Sequence, residues 1–66
     1  TTLRAALEAA FAVQPRLRGY VLDEQSHLRP NVVIFVDGRR SDDRVALADP
    51  LQASSTVHVL QALSGG

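Results

Sequence analysis

The sequence contains no cysteine and no lysine; all seven of its basic residues are arginine. The first absence removes a nucleophilic sulfur, a disulfide staple and a thiolate metal ligand together. The second leaves no ε-amine to capture an activated acyl group formed on the chain, although genomic base composition alone can also produce an arginine-rich, lysine-free sequence. An excess of one charge is missing too. Seven acidic residues balance the seven basic ones, and Arg4, Arg16, Arg18, Arg29, Arg39, Arg40 and Arg44 are scattered. No basic face for a phosphate backbone is visible, which argues against a nucleic-acid partner. No apolar run approaches the ~20 residues that span a bilayer, and the opening TTLRAALEAA is amphipathic, unlike a signal peptide. The expectation is a cytoplasmic protein with no membrane partner.

What is present is one small domain of 66 residues, 45% hydrophobic and 21% charged. That size sits near the lower limit for independent folding, so the chain needs a compact core, a partner, or residues beyond these. Leu3, Ala6, Leu7, Ala10 and Phe11 recur at the spacing of one helical face, while Arg4 and Glu8 sit four apart on another. The pattern predicts a helix from about Thr2 to Val13, capped by Thr1 or Thr2 and ended by Pro15. From Pro15 to Pro30 no period is sustained, which predicts a long connection with one helical turn near Leu17 to Tyr20. Leu17, Val21 and Leu22 are expected to close the bottom of the core.

NVVIFV, from Asn31 to Val36, is a β-rich run, and the Asp37-Gly38 pair behind it signals a hairpin into a short return strand at Arg39, Arg40 and Ser41. Alternation puts Val32, Ile34 and Val36 on one face, Val33 and Phe35 on the other. RVALADPLQASST holds Leu47, Pro50 and Leu51 in a turn. VHVLQAL reads as the last strand, with Val57 and Val59 on the core face and His58 and Leu60 opposite. The order is α+β, one helix on a small mixed sheet.

NVVIFVDGRR followed by ALADPLQASSTVHVLQALSGG resembles the small sulfur-carrier proteins of the MoaD/ThiS family. The apolar strand ending in an Asp-Gly turn, the later Pro-Leu turn and the last strand running into Gly-Gly carry the resemblance, which covers nearly the whole chain. It implies the ubiquitin-like β-grasp fold as a single domain over 1–66, with 64–66 a flexible tail. Family members begin with a β-hairpin that is not here, and two strands plus a turn need roughly 15–20 residues. The size argument favours a fragment of the natural protein. In the complete fold the last strand lies parallel to the first, so the His58 to Ala62 strand is expected to have an unpaired edge, and the 66-residue chain made alone is expected to be either poorly folded or self-associated through that edge.

The resemblance also implies chemistry. A carboxylate is a poor electrophile, and an activating enzyme of the ubiquitin-activating kind would adenylate Gly66 with ATP and Mg²⁺. Displacement of AMP by sulfide or a persulfide, supplied by a donor such as a cysteine desulfurase or rhodanese, gives a thiocarboxylate for a sulfur-accepting synthase. The carrier is a co-substrate and binds no cofactor itself. Ser64, Gly65 and Gly66 would enter the partner's nucleotide site, where a backbone without Cβ atoms approaches closely. Phe35, Leu60 and Leu63 are expected to form the apolar part of a docking face, with His58 at its margin. An apolar second face of the sheet marks either a binding surface or a face covered by the missing hairpin or another copy.

The remaining polar residues point to no catalysis. His27 and His58 lie on separate elements without cysteine or paired carboxylates, a poor metal set. Asp42-Asp43, beside Arg39, Arg40 and Arg44, is expected to be a solvated, ion-paired turn. Neither a Ser-His-Asp order nor a glycine-rich phosphate loop occurs. Two other functions remain open: a ubiquitin-like modifier joined through Gly66 to lysines of other proteins, and a plain interaction module.

Overall fold

The computed structural model describes residues 1–61. Helix α1 spans Leu3–Val13 and α2 spans Arg16–Val21; strands β1 (Val32–Val36), β2 (Arg39–Arg40) and β3 (Val57–Gln61) follow. The strands form one sheet in the order β2-β1-β3, and both pairings are antiparallel. The class is α+β, as expected, with two corrections. The described sheet is antiparallel, not mixed, because both strands that flank β1 run against it. A second helix replaces the single turn expected after Pro15.

Helix α1 forms because its apolar residues repeat at helical spacing and its ends are satisfied. Thr2 accepts the Ala5 N–H on its side chain, at 3.2 Å. The Leu3 and Arg4 N–H groups, orphans at any helix start, donate to Asp49 O (2.8 Å) and Leu47 O (2.9 Å). Leu3, Leu7 and Phe11 are the buried residues of this helix. They meet Val21, Leu22, Leu28, Val32, Ile34 and Leu47 in the core, with Val36 and Val57 packed at its margin. Leu17, expected in that core, is 38% exposed. Leu17 and Val21 share one face of α2, but only Val21 is buried; Leu17 lies on the wall of an open groove between the helices and β3.

The β1–β2 hairpin turns on Asp37 (φ 52°) and Gly38 (φ 80°), both left-handed as a two-residue type I′ turn requires. Asp37 also ties the turn to the last strand. It donates its N–H to Thr56 O at 2.9 Å and accepts the Thr56 N–H on its carboxylate at 2.9 Å. β3 then pairs with β1 over five residues without a bulge, from Val36 opposite Val57 to Val32 opposite Gln61.

Two arginines order the loops. Arg4 donates from Nε to Ala46 O (2.9 Å) and from Nη2 to Ser26 O (2.7 Å) and Val45 O (2.8 Å). Arg44 Nη2 donates to Arg29 O (2.5 Å) and Val32 O (2.7 Å). Between them Leu47 is fully buried at φ 53°, a backbone conformation disfavoured for a side chain with a Cβ. An ammonium cannot reproduce a planar guanidinium fork aimed at three carbonyls. Arg4→Lys is therefore expected to cost about 1–2 kcal/mol in urea denaturation. An unchanged midpoint would mean that water serves those carbonyls equally well.

Candidate functional site

The candidate surface is the sheet face turned away from the helices. In an antiparallel pair, residues directly opposite share a face, so the register assembles it in rows. Arg40, Phe35 and His58 form one row, and Val33 and Leu60 the next. Val33 and Phe35 are half-buried and His58 is exposed; Leu60 is 50% exposed. The face is thus an apolar centre flanked by a guanidinium and an imidazole.

Three of the expected docking residues, Phe35, His58 and Leu60, come together. Leu63 and the tail residues Ser64, Gly65 and Gly66 lie outside the described residues, as does Ala62. Arg40 belongs to the face and was not expected there. Its position follows from a two-residue turn, which sets Arg39 opposite Val36 and Arg40 opposite Phe35, so the Asp37-Gly38 pair contained the signal.

On the opposite face Val59 departs from expectation. Val57 packs against the core, but Val59 is 40% exposed. Val59 instead lines a groove of about 350 Å³ between α1, α2 and β3, together with Ala10, Phe11 and Tyr20 among others.

A second concavity, of about 490 Å³, lies at the hairpin mouth among Asp37, Arg39, Arg40, Asp42, Asp43 and Asp49. Three of its carboxylates, those of Asp37, Asp43 and Asp49, hold the chain in shape. Asp43 accepts the N–H groups of Val45 (3.2 Å), Ala46 (2.9 Å) and Ala48 (3.0 Å), and these bonds, that of Ala48 foremost, keep its carboxyl below the ordinary 3.8. Its contribution to stability is present above that value and is lost as pH falls through the lowered one. Asp49 accepts the Ser41 hydroxyl at 2.9 Å, and Asp37 holds Thr56 as above. The ion-paired turn expected at Asp42-Asp43 is thus corrected: among the described residues the ion pairs are Arg4–Glu8 and Arg18–Glu8, and Asp43 folds back onto its own loop.

Asp23 does the same work in the other connection, accepting the N–H groups of His27 (3.0 Å) and Gln25 (2.9 Å). Those bonds, His27 first, lower its carboxyl too. Among the described residues no three His, Cys, Asp or Glu side chains converge as a metal set, and no helix is long and apolar enough to cross a membrane. No protein family, curated protein or solved structure matches this chain.

Proposed function

We propose that this chain is a sulfur carrier of the β-grasp type. Its Gly66 carboxylate, where free, attacks the α-phosphorus of ATP on an activating enzyme and releases pyrophosphate. Sulfide then displaces AMP to leave a thiocarboxylate; a persulfide displaces AMP to give an acyl disulfide, whose S–S bond a second thiol of the partner cleaves, releasing the thiocarboxylate and leaving the partner's two thiols as a disulfide. A sulfur-accepting synthase consumes that group in cofactor or metabolite biosynthesis. The chain supplies the reacting end and a docking face, while ATP, Mg²⁺ and the catalytic groups belong to the partner.

The observation that carries this reading is the registered β3. Five residues, bonded along their length to β1, fix the point from which the final five residues, ending in Gly65 and Gly66, depart. The Phe35, His58 and Leu60 face lies beside that point. Among the described residues the order β2-β1-β3 also leaves the outer side of β3 without a partner strand, where a β-grasp sheet carries a further strand parallel to the last.

The species at Gly66 tests the reading. In protein purified from its own cell, mass spectrometry is expected to find the mass gain of one sulfur-for-oxygen exchange. An isopeptide adduct would make the chain a protein modifier, and a carboxylate that never changes would make it an interaction module. The docking face has its own test. Interface energy concentrates in a few anchors, each worth ~2 kcal/mol or more, or about 30-fold in affinity. Phe35→Ala and Leu60→Ala are each expected to weaken activating-enzyme binding by that factor while the circular dichroism of the fold persists. Normal binding by both, or unfolding of both, would remove the face from the mechanism.

A further inference from the structure

Among the described residues β3 is an edge strand, and ladder alternation identifies which of its backbone groups no described strand uses. Asp37 donates to Thr56 on the β3 side of β1, whereas Ile34 accepts from Ser41 (2.8 Å) on the β2 side. Antiparallel bonding alternates residue by residue. Val33 and Phe35 therefore bond toward β3, to their register partners Leu60 and His58. The N–H and C=O groups of Val57, Val59 and Gln61 point the other way, where no described strand lies. Their side chains share the helix-side face with Val36, Ile34 and Val32.

Sheet edges are ordinarily guarded by charge, proline or a bulge. VHVLQ has no formally charged residue and no proline, and its register is unbroken. Beneath the edge lies the apolar groove, walled by Leu7, Phe11, Leu17, Tyr20, Val32 and Val59. Tyr20 is 63% exposed there.

We propose that this edge joins two copies of the 66-residue chain, β3 pairing antiparallel with β3 of the second copy about a two-fold axis at Val59. That register makes Val59 opposite Val59, and Val57 opposite Gln61, the mutually bonded pairs. Every outward N–H and C=O of both strands is then used, and none is left over. His58 falls opposite Leu60 of the other copy, so the two imidazoles never meet. An uncharged strand with apolar side chains at alternate positions is the complement of an uncharged edge over an apolar groove, and β3 is itself such a strand.

The product is a six-stranded sheet with both grooves facing the axis. The Phe35, His58 and Leu60 faces point away from the grooves and stay open in the dimer; the pairing takes the edge that the β-grasp reading gives to a further strand, so a monomer overturns this proposal and leaves that reading standing. Resting on one five-residue strand pairing, the dimer is expected to be weak, with a dissociation constant on the order of 10–100 µM.

Sedimentation of the 66-residue chain from about 5 µM to about 1 mM should pass from monomer to dimer. Val59→Pro removes an N–H that β1 does not use, a change edge strands tolerate. It should keep the circular dichroism of the fold and weaken the dimer at least about tenfold, through two lost hydrogen bonds. A second arm is independent of proline. In this cysteine-free chain, oxidised Val59→Cys should form a covalent dimer, because bonded antiparallel pairs hold their Cα atoms about 5.5 Å apart. His58→Cys should not. A monomer throughout, a dimer untouched by folded Val59→Pro, or cross-linking through His58→Cys in preference to Val59→Cys would each overturn the proposal. Should Val59→Pro fail to fold, the two cysteine variants decide it.

Discussion

A chain lacking Gly66, a chain carrying one residue beyond it, and a Gly65→Val chain should all fail to gain a thiocarboxylate when given an activating enzyme, ATP, Mg²⁺ and sulfide. Wild type should convert fully. The changes are small, but the reaction is intolerant of position. One residue of extended chain spans about 3.3–3.6 Å, as much as the whole separation of reacting atoms in a productive complex, about 3–3.5 Å. Removing or adding a residue therefore moves the carboxylate out of reach of phosphorus. A β-branched side chain at position 65 widens a backbone that must enter a narrow site. All three changes lie beyond Gln61, the last residue of β3, so urea midpoints should move by less than ~0.5 kcal/mol. Full conversion of the extended chain without prior trimming would sink the sulfur-carrier reading.

Ile34→Ala is expected to remove most of the chain's folding stability. Ile34 is fully buried in the central strand, opposite Val59, and removing its outer carbons opens a cavity in the middle of the core. Such truncations cost about 2–5 kcal/mol, whereas a domain this small rarely holds more than about 3–5 kcal/mol. Val59→Ala, on the same row but at the groove, should cost about 1 kcal/mol or less, since its side chain is already partly in water. Urea denaturation at one fixed protein concentration checks both. An Ile34→Ala loss below about 1 kcal/mol would mean that the core closes around the vacancy, and would deny the sheet centre its part in stability.

The elements with a local period were legible in the sequence. α1 announced itself through Leu3, Leu7 and Phe11, β1 through its β-branched run, and the hairpin through Asp37-Gly38. β3 was legible too, and with it the meeting of Phe35, His58 and Leu60. The loops were not. Leu47 is buried because Arg4 reaches Ala46, 42 positions away, and because Asp43 gathers the N–H groups that follow it. No pattern of apolar residues encodes a side chain bonding to a distant carbonyl. Leu28, buried beside Val21 and Leu22, was missed for the same reason: its N–H donates to Arg44 O at 2.8 Å, a contact between two connections. α2 was half-seen, since Gly19 weakens its helical propensity and only Val21 among its residues is buried.

The reciprocal bonds between Asp37 and Thr56 make the stretch between them a closed circuit, with both ends fastened at one point beside the sheet. Its length is then largely decoupled from the geometry of β1 and β3. The entropy of such a circuit grows only logarithmically, so doubling the number of residues in it costs about 0.6 kcal/mol. The exposed Gln52 to Ser54 stretch, away from the Arg4 and Asp43 contacts, is where that freedom can be used. A peptide tag or a small guest domain spliced there would leave the last strand, and whatever it presents, where it was.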